Sequence, residues 1–418
     1  MKGSSSIMKK TLNRWVYIII GTIVLVFSGL VYAWTTLAAP ISAHFPQWTE
    51  AQISLTFTIV MSGFCIGGLL GGIFQKKLKP NLIMWLSGVL LLLGFLLTSW
   101  ANSLALLYIG FGCLGGLGSG LSYNIVMSCV SRWFPDKKGL CSGILLMGFG
   151  IGSFLIGKIY TAITPSDGGD AWRTTFMIFG IILIVVMILG SFFTVNPPAD
   201  WKAPAPKKAP KEVAFYQDLT PGQMLKTRNF WLYMIWTLVM SGAGLMIISQ
   251  GRPIAMDTLQ IESATAQQLS MIATIVGLTS IFNAVGRVIF GFLFDKIGRF
   301  WEMFIGGIMF IIGLLLTLAA LSGHSVFVLV LAYIATGLAY GCVTPTNSSF
   351  ALQFFGPKNY AVNLPIVNLN LLVASFSSTL AGAVKDATNS YNPIIYIVLG
   401  LVVLGIIVNF LIRKPKTN

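Results

Sequence analysis

Charge is what this sequence has least of: 9% of its 418 residues are Asp, Glu, Lys or Arg, where a soluble globular chain carries about a quarter. A chain this poor in charge cannot cover a surface that faces water. Acid is scarcer than base, 12 Asp and Glu against 27 Lys and Arg, for a formal net charge of +15. Histidine is almost missing. Its two copies, His44 and His324, fall in loops, so no metal site is expected. The five cysteines, Cys65, Cys113, Cys129, Cys141 and Cys342, lie in apolar stretches or at their ends without paired spacing. They read as small core residues, which excludes a disulfide or zinc framework. A membrane enzyme would need clustered acids, bases or metal ligands inside its apolar segments, and the sequence offers none. Neither catalysis nor a cofactor is expected. The glycines of GGLGSG at 115–120 and GFGIG at 148–152 suit close helix packing and are not phosphate-binding loops.

What is present is apolar. Hydrophobic residues make up 56% of the chain and the mean hydropathy is +0.83. Runs of roughly 20 apolar residues recur from end to end, each long enough to cross ~30 Å of hydrocarbon. The sequence therefore predicts an all-α integral membrane protein of twelve spans, near 14–38, 51–75, 80–100, 104–131, 139–163, 171–195, 230–250, 267–294, 300–321, 326–351, 360–384 and 391–412. The first run follows a basic start but is too long for a signal-peptide core, so it is kept as a span.

The basic residues do not form one patch, which argues against nucleic acid as a partner. They alternate by loop. Lys2, Lys9, Lys10 and Arg14 precede the first span, and Lys76, Lys77, Lys79, Arg132, Lys137 and Lys138 follow spans two and four. Lys202, Lys207, Lys208, Lys211, Lys226, Arg228, Lys296, Arg299, Lys358, Arg413, Lys414 and Lys416 fall on the same side. Only Lys158, Arg173, Arg252 and Lys385 fall on the other, and Arg287 lies inside a span. Positive loops stay cytoplasmic, so both termini are expected inside a cytoplasmic membrane.

Segment 196–229 is rich in Pro and Lys and cannot span. It reads as a cytoplasmic linker between a six-helix half at 1–195 and another at 230–418, extended in its Pro-Lys part. Its TPGQMLKT piece suits a short amphipathic helix. The halves resemble each other: GGLGSG at 115–120 matches TGLAYG at 336–341, and RWFPDKKG at 132–139 matches QFFGPKNY at 353–360, both at an offset of 221. GGIFQKKLKP at 71–80 matches FGFLFDKIGR at 290–299 at nearly the same offset. Two parallel six-helix repeats joined by a basic loop describe a major facilitator fold, with substrate held at mid-membrane between the halves.

The motifs carry a family resemblance. G-x-x-x-D-x-x-G-R at Gly291–Arg299 is the loop motif of the major facilitator superfamily. RWFPDKKGLCSG at 132–143 and LTPGQMLKTRNFWL at 219–232 resemble the oxalate/formate antiporter family, a relative of the monocarboxylate transporters for lactate and pyruvate. The resemblance extends over nearly the whole chain. It implies a carrier of small organic anions, with or without a proton, working by alternating access. A single chain is the expected functional unit. In the loop motif Asp295 is expected against a helix N-terminus of the other half, with Lys296 and Arg299 facing lipid phosphates. Asp136, in the corresponding first-half segment, joins Asp295 and Arg299 as a gating candidate. The first-half copy of the loop motif has Lys76 in place of the aspartate, so gating is expected to lean on Asp295.

Arg287 is the leading site candidate. It lies eight positions before Asp295, about 12 Å into the membrane at 1.5 Å per residue. A permanent cation at that depth costs several kcal/mol and is tolerated facing a cavity or a partner. The acidic residues all read as loop or helix-end positions, so the counter-ion expected is a transported carboxylate gripped by the guanidinium fork. The competing reading is an arginine satisfied by backbone carbonyls. The resemblance raises the first, because the matching helix-8 arginine is the substrate anchor of the relatives. Asn283 lies one turn away on the same face, where several animal relatives carry an aspartate tied to proton coupling. The oxalate antiporter adds a helix-11 lysine; here that position is Val367, followed by Asn368 and Asn370. One buried cation suits one carboxylate, which favours a monocarboxylate over oxalate. Asn368 and Asn370 would bind its polar end or bond between helices. Tyr32, Trp34, Tyr123 and Tyr340 match cavity aromatics of the antiporter, with helix packing the alternative, more so for Tyr32 and Trp34 nearer the outer side. A drug exporter is the rival within the superfamily; it would favour a buried acid to meet cations.

Overall fold

The computed structural model describes residues 12–164, 169–198, 201, 217–261 and 266–414. These residues build helices and the turns between them. Among the described residues, eleven helices are long and apolar enough to cross a membrane. In chain order we label the spans α1 (Arg14–His44), α2 (Glu50–Phe74), α3 (Pro80–Ser99), α4 (Leu104–Ser131), α5 (Lys138–Ile163) and α6 (Ala171–Ser191). They continue as α7 (Arg228–Thr258), α8 (Ala266–Ile297), α9 (Arg299–Gly323) and α10 (Val326–Phe355). The eleventh run is broken: α11 consists of Tyr360–Ala374 followed by Phe376–Thr388. The last span is α12 (Asn392–Leu411).

Helix starts follow from capping chemistry. Thr49 and Gln52 close a reciprocal capping box at α2, and the side chains of Ser103, Thr227 and Ser325 each accept a hydrogen bond from a first-turn amide of α4, α7 and α10. Such caps satisfy amides that have no partner inside the helix. A second capping box, Thr220 with Gln223, starts the short linker helix Pro221–Leu225 in the TPGQMLKT piece. Between α8 and α9 the chain turns at Gly298, whose φ of 82° is in the left-handed region that glycine adopts at no steric cost.

The pairings α2 with α4, α3 with α6 and α1 with α5 recur as α8 with α10, α9 with α12 and α7 with α11. Between the first six spans and the last six, α5 packs on α8 and α10, and α2 packs on α11. Large apolar side chains such as Ile19, Trp100, Phe192, Phe327 and Phe410 stay exposed on the outside, as a lipid-facing surface requires. The chain is a multi-pass membrane protein.

Candidate functional site

Arg287 sits on α8 and is turned inward, 9% exposed. Its Nη1 donates to the carbonyl of Leu146 on α5 at 2.5 Å. The guanidinium lies over Gly150 one turn on, where a Cβ would stand 2.6 Å from Nη1 and 2.9 Å from Cζ. Glycine at 150 is thus the space the fork occupies. A backbone carbonyl therefore takes one N–H of the fork, while two phenols, Tyr123 of α4 and Tyr340 of α10, lie within electrostatic reach of the charge.

Around it stands a chain of buried polar groups. The Asn368 amide donates to the Tyr123 hydroxyl at 3.4 Å, and Asn347 of α10 donates to Asn368 Oδ1 at 3.2 Å. Asn347 Oδ1 in turn accepts from the Tyr233 and Thr237 hydroxyls of α7, both at 2.7 Å. Asn370 Nδ2 donates to Ser241 Oγ at 2.6 Å and to Thr237 Oγ1 at 3.1 Å. Seven residues from four helices are fixed in one network, so the α11 amides have defined orientations. Asn370 is committed to α7, whereas Asn368 connects to Tyr123 across the two sets of six spans. Asn283 is 8% exposed, and its buried Oδ1 accepts no hydrogen bond among the described residues.

Aromatic walls complete the cluster. Tyr123 packs against Phe64 and Phe149, with ring centroids 5.1 and 5.3 Å apart. Tyr340 lies over Gly244 of α7, where a Cβ would come within 2.1 Å of its ring. Trp34 is elsewhere: 2% exposed, it donates its indole N–H to the Ile53 carbonyl at 3.0 Å and packs on Phe111. It pins α1 to α2 and α4, and the structure does not bring it to Arg287. The Tyr32 side chain lies outside the described residues.

At the end that carries most of the basic loops, Asp295 accepts the backbone N–H groups of Gly139 and Leu140, each at 2.9 Å. These are the first amides of α5, where a carboxylate meets both unpaired donors and the positive end of the helix dipole. Asp136 is held by both guanidinium nitrogens of Arg14, at 2.5 and 2.9 Å, and so ties the α4–α5 loop to the start of α1. Arg299 departs from its expected place at the lipid headgroups. Its Nη1 donates to Asn409 Oδ1 at 2.6 Å and its Nη2 to the Ile412 carbonyl at 3.1 Å. The unpaired carbonyls at the end of α12 draw it inward.

Close backbone approach seals the same end. A Cβ on Gly139 would stand 2.0 Å from the Gly291 carbonyl oxygen, and one on Gly72 would stand 2.1 Å from that of Ala361. Asn124 of α4 donates to both Gly68 and Ala361 carbonyls, bridging α2 and α11. Sequence reasoning missed Asn124 and Asn347, although both are polar residues inside apolar spans. It also placed every acid at a loop or helix end outside the buried bundle. Glu302 corrects this: it stands in the first turn of α9 yet is 0% exposed, because α10 covers that turn.

A buried cation thus stands beside phenols and amides between two sets of six spans, with closely opposed glycines at one end. No group of three or more potential metal ligands occurs among the described residues. Residues 18–379 match the family model of the Major Facilitator Superfamily, and the chain belongs to that superfamily of transporters. It is 28% identical to the "Oxalate:formate antiporter" of Oxalobacter formigenes over 83% of this chain and 80% of that one. It is 27% identical to the "Uncharacterized MFS-type transporter YhjX" of Escherichia coli (87% and 86%) and 24% identical to the rat "Monocarboxylate transporter 13" (82% and 75%). Among solved structures, the proton:xylose symporter XylE has the same fold, with a TM-score of 0.68 at 14% identity over 97% of this chain and 98% of that one. A bacterial homologue of the iron transporter ferroportin aligns with a TM-score of 0.69 at 16% identity over 96% and 99%.

Proposed function

We propose that the protein carries small monocarboxylates of the lactate, pyruvate or formate kind across a cell membrane, with Arg287 as the carboxylate anchor. The observation that carries this reading is a guanidinium set at the α5–α8 junction, beside the phenols of Tyr123 and Tyr340. A guanidinium fork in a site of low dielectric matches a carboxylate. Asn283 and Asn368 sit where they can bond a second polar atom of the substrate. Val367, buried in the packing of α11, supplies no second cation, which favours a monoanion over oxalate. Exchange of the oxalate:formate type is the second reading, favoured by the similarity to the Oxalobacter antiporter.

In this reading 1–195 and 230–418 move as two bodies joined by the linker 196–229, with the basic-loop end and both termini in the cytoplasm. Asp295 latches the cytoplasmic end onto α5, and one chain is the working unit. A bound monoanion offsets the charge that the site carries when it reorients. Transport is then coupled, as anion exchange or as anion with proton. The test is uptake of labelled lactate, pyruvate, formate and oxalate into liposomes carrying wild type, Arg287→Ala or Arg287→Lys. Both variants should lose most of the uptake, since lysine cannot reproduce the planar fork. Wild-type rates in Arg287→Ala would refute the anchor.

A further inference from the structure

Glu302 is a carboxyl group in a place where a carboxylate cannot balance its hydrogen bonds. It is 0% exposed, and its Oε1 lies 2.6 Å from Thr346 Oγ1. The same Thr346 hydroxyl lies 2.6 Å from the Cys342 carbonyl oxygen, one turn back on α10. A threonine hydroxyl has one proton to donate. The Cys342 carbonyl can only accept, and an ionised Glu302 can only accept. With Glu302 ionised, one of the two 2.6 Å contacts would set lone pairs against each other with no proton between them. With Glu302 neutral, its O–H donates to Thr346 Oγ1, Thr346 donates to the Cys342 carbonyl, and both contacts are short hydrogen bonds of the normal O–H···O kind. The second oxygen points the same way. Oε2 is buried and accepts no hydrogen bond among the described residues, a costly state for a charged atom and a mild one for the carbonyl of an acid.

The groups facing Glu302 do not change this count. Arg299 acts on it from one turn back on α9, and directs Nη1 and Nη2 at Asn409 and the Ile412 carbonyl at the end of α12. Tyr233 of α7 and Cys342 of α10 are its other titratable neighbours, and both are neutral in their ordinary state.

We propose that Glu302 is a proton-carrying site of the transporter: it holds a proton in this closed arrangement and gives it up when the two sets of six spans part at the basic-loop end and water reaches it. The proton passes from the Glu302 hydroxyl to water entering at the basic-loop end, leaving a carboxylate that Arg299 can then neutralise. Glu302 lies next to the α8–α9 turn, between Asp295 on one side of the turn and Thr346 on the neighbouring helix. Loss of its proton is thereby coupled to the same end of the molecule that Asp295 closes. This site is separate from the Arg287 cluster and stands whether or not Arg287 is the anion anchor.

Infrared spectroscopy of the full-length protein in liposomes, wild type against Glu302→Gln, tests it without any substrate. At neutral pH the wild type should show the C=O stretch of a protonated carboxylic acid that Glu302→Gln lacks. Thr346→Val, which removes the acceptor of its proton, should shift that band. In uptake assays the wild-type rate should fall at alkaline pH by up to about tenfold per unit, the limit for one proton, while Glu302→Gln, a permanent mimic of the neutral acid, stays flat. A wild-type spectrum with no such band, or one that Glu302→Gln leaves intact, overturns the assignment of the proton. A Glu302→Gln pH profile that matches wild type overturns the carrying role.

Discussion

Arg287 of α8 lies against Gly150 of α5, its guanidinium filling the volume where a side chain at 150 would begin. Gly150→Ala therefore acts on Arg287 without touching it chemically. The new Cβ would meet the far end of a flexible side chain, so the fold should survive with little loss of melting temperature. The fork must move by about an ångström, and misplacement of that size can cost up to about a hundredfold in rate. Uptake should fall by about tenfold or more while thermal stability stays near wild type. Unchanged uptake would show that the fork's position over α5 is not the working one.

Asp295 faces two amides of α5, and its charge lies at the positive end of that helix. Asp295→Asn keeps an acceptor but removes the charge, which is worth about 0.3–1 kcal/mol at a helix N-terminus and up to ~2 when partly buried. A change of one or two kcal/mol shifts a two-state balance by about 5–30-fold. The closed end should open more often, and a cysteine placed at Leu140 should react faster with a water-soluble maleimide. An unaltered labelling rate would mean that the contact does not hold this end shut.

The second seam, between α2 and α11, carries no carboxylate. Lys76 stands where the first-half motif would place one, and closure uses Gly72 against the Ala361 carbonyl plus the Asn124 amide. Asn124→Ala removes the bridging donor and should open the seam by a smaller factor than Asp295→Asn, since interhelical hydrogen bonds in membranes average about 0.6 kcal/mol. Gly72→Val should do more, because its side chain collides with fixed backbone. Maleimide labelling at Ala361→Cys would rank the two; equal rates in both variants and the parent would refute the seam.

The architecture was legible in the sequence because lipid permits few solutions: long apolar runs must be helices, and loop charge marks the ends. Arg287 was legible for a related reason, as a cation eight residues inside a span has few places to go. The burial of Glu302 and the partners of Arg299 were not. Glu302 follows a loop by one turn, so spacing alone puts it at a helix end, and the packing of α10, with Thr346 against its carboxyl group, buries it. Arg299 reads as a headgroup ligand until α12 ends beside it. The interruption of α11 at Leu369 and Ser375 falls in a run that holds Asn363, Pro365, Asn368 and Asn370, weak helix formers that a reading by apolar length passes over.

Asn347 gives the last prediction, and it separates stability from transport. One amide serves Tyr233, Thr237 and Asn368 at once. Asn347→Leu leaves two hydroxyls on α7 and the Asn368 carbonyl buried without it, at about 0.6 kcal/mol for each lost bond and up to ~1.7 for the strongest. The total should be about 1–3 kcal/mol, read as a lower melting temperature. Asn368 would then be free to turn away from Tyr123, so substrate affinity should fall as well. Tyr233→Phe removes only the outer bond of the network and leaves Asn368 held. It should lower the melting temperature modestly and leave the apparent KM for uptake near wild type. If Tyr233→Phe raised KM as much as Asn347→Leu, the network would be binding substrate through α7, and the role given to Asn368 would be wrong.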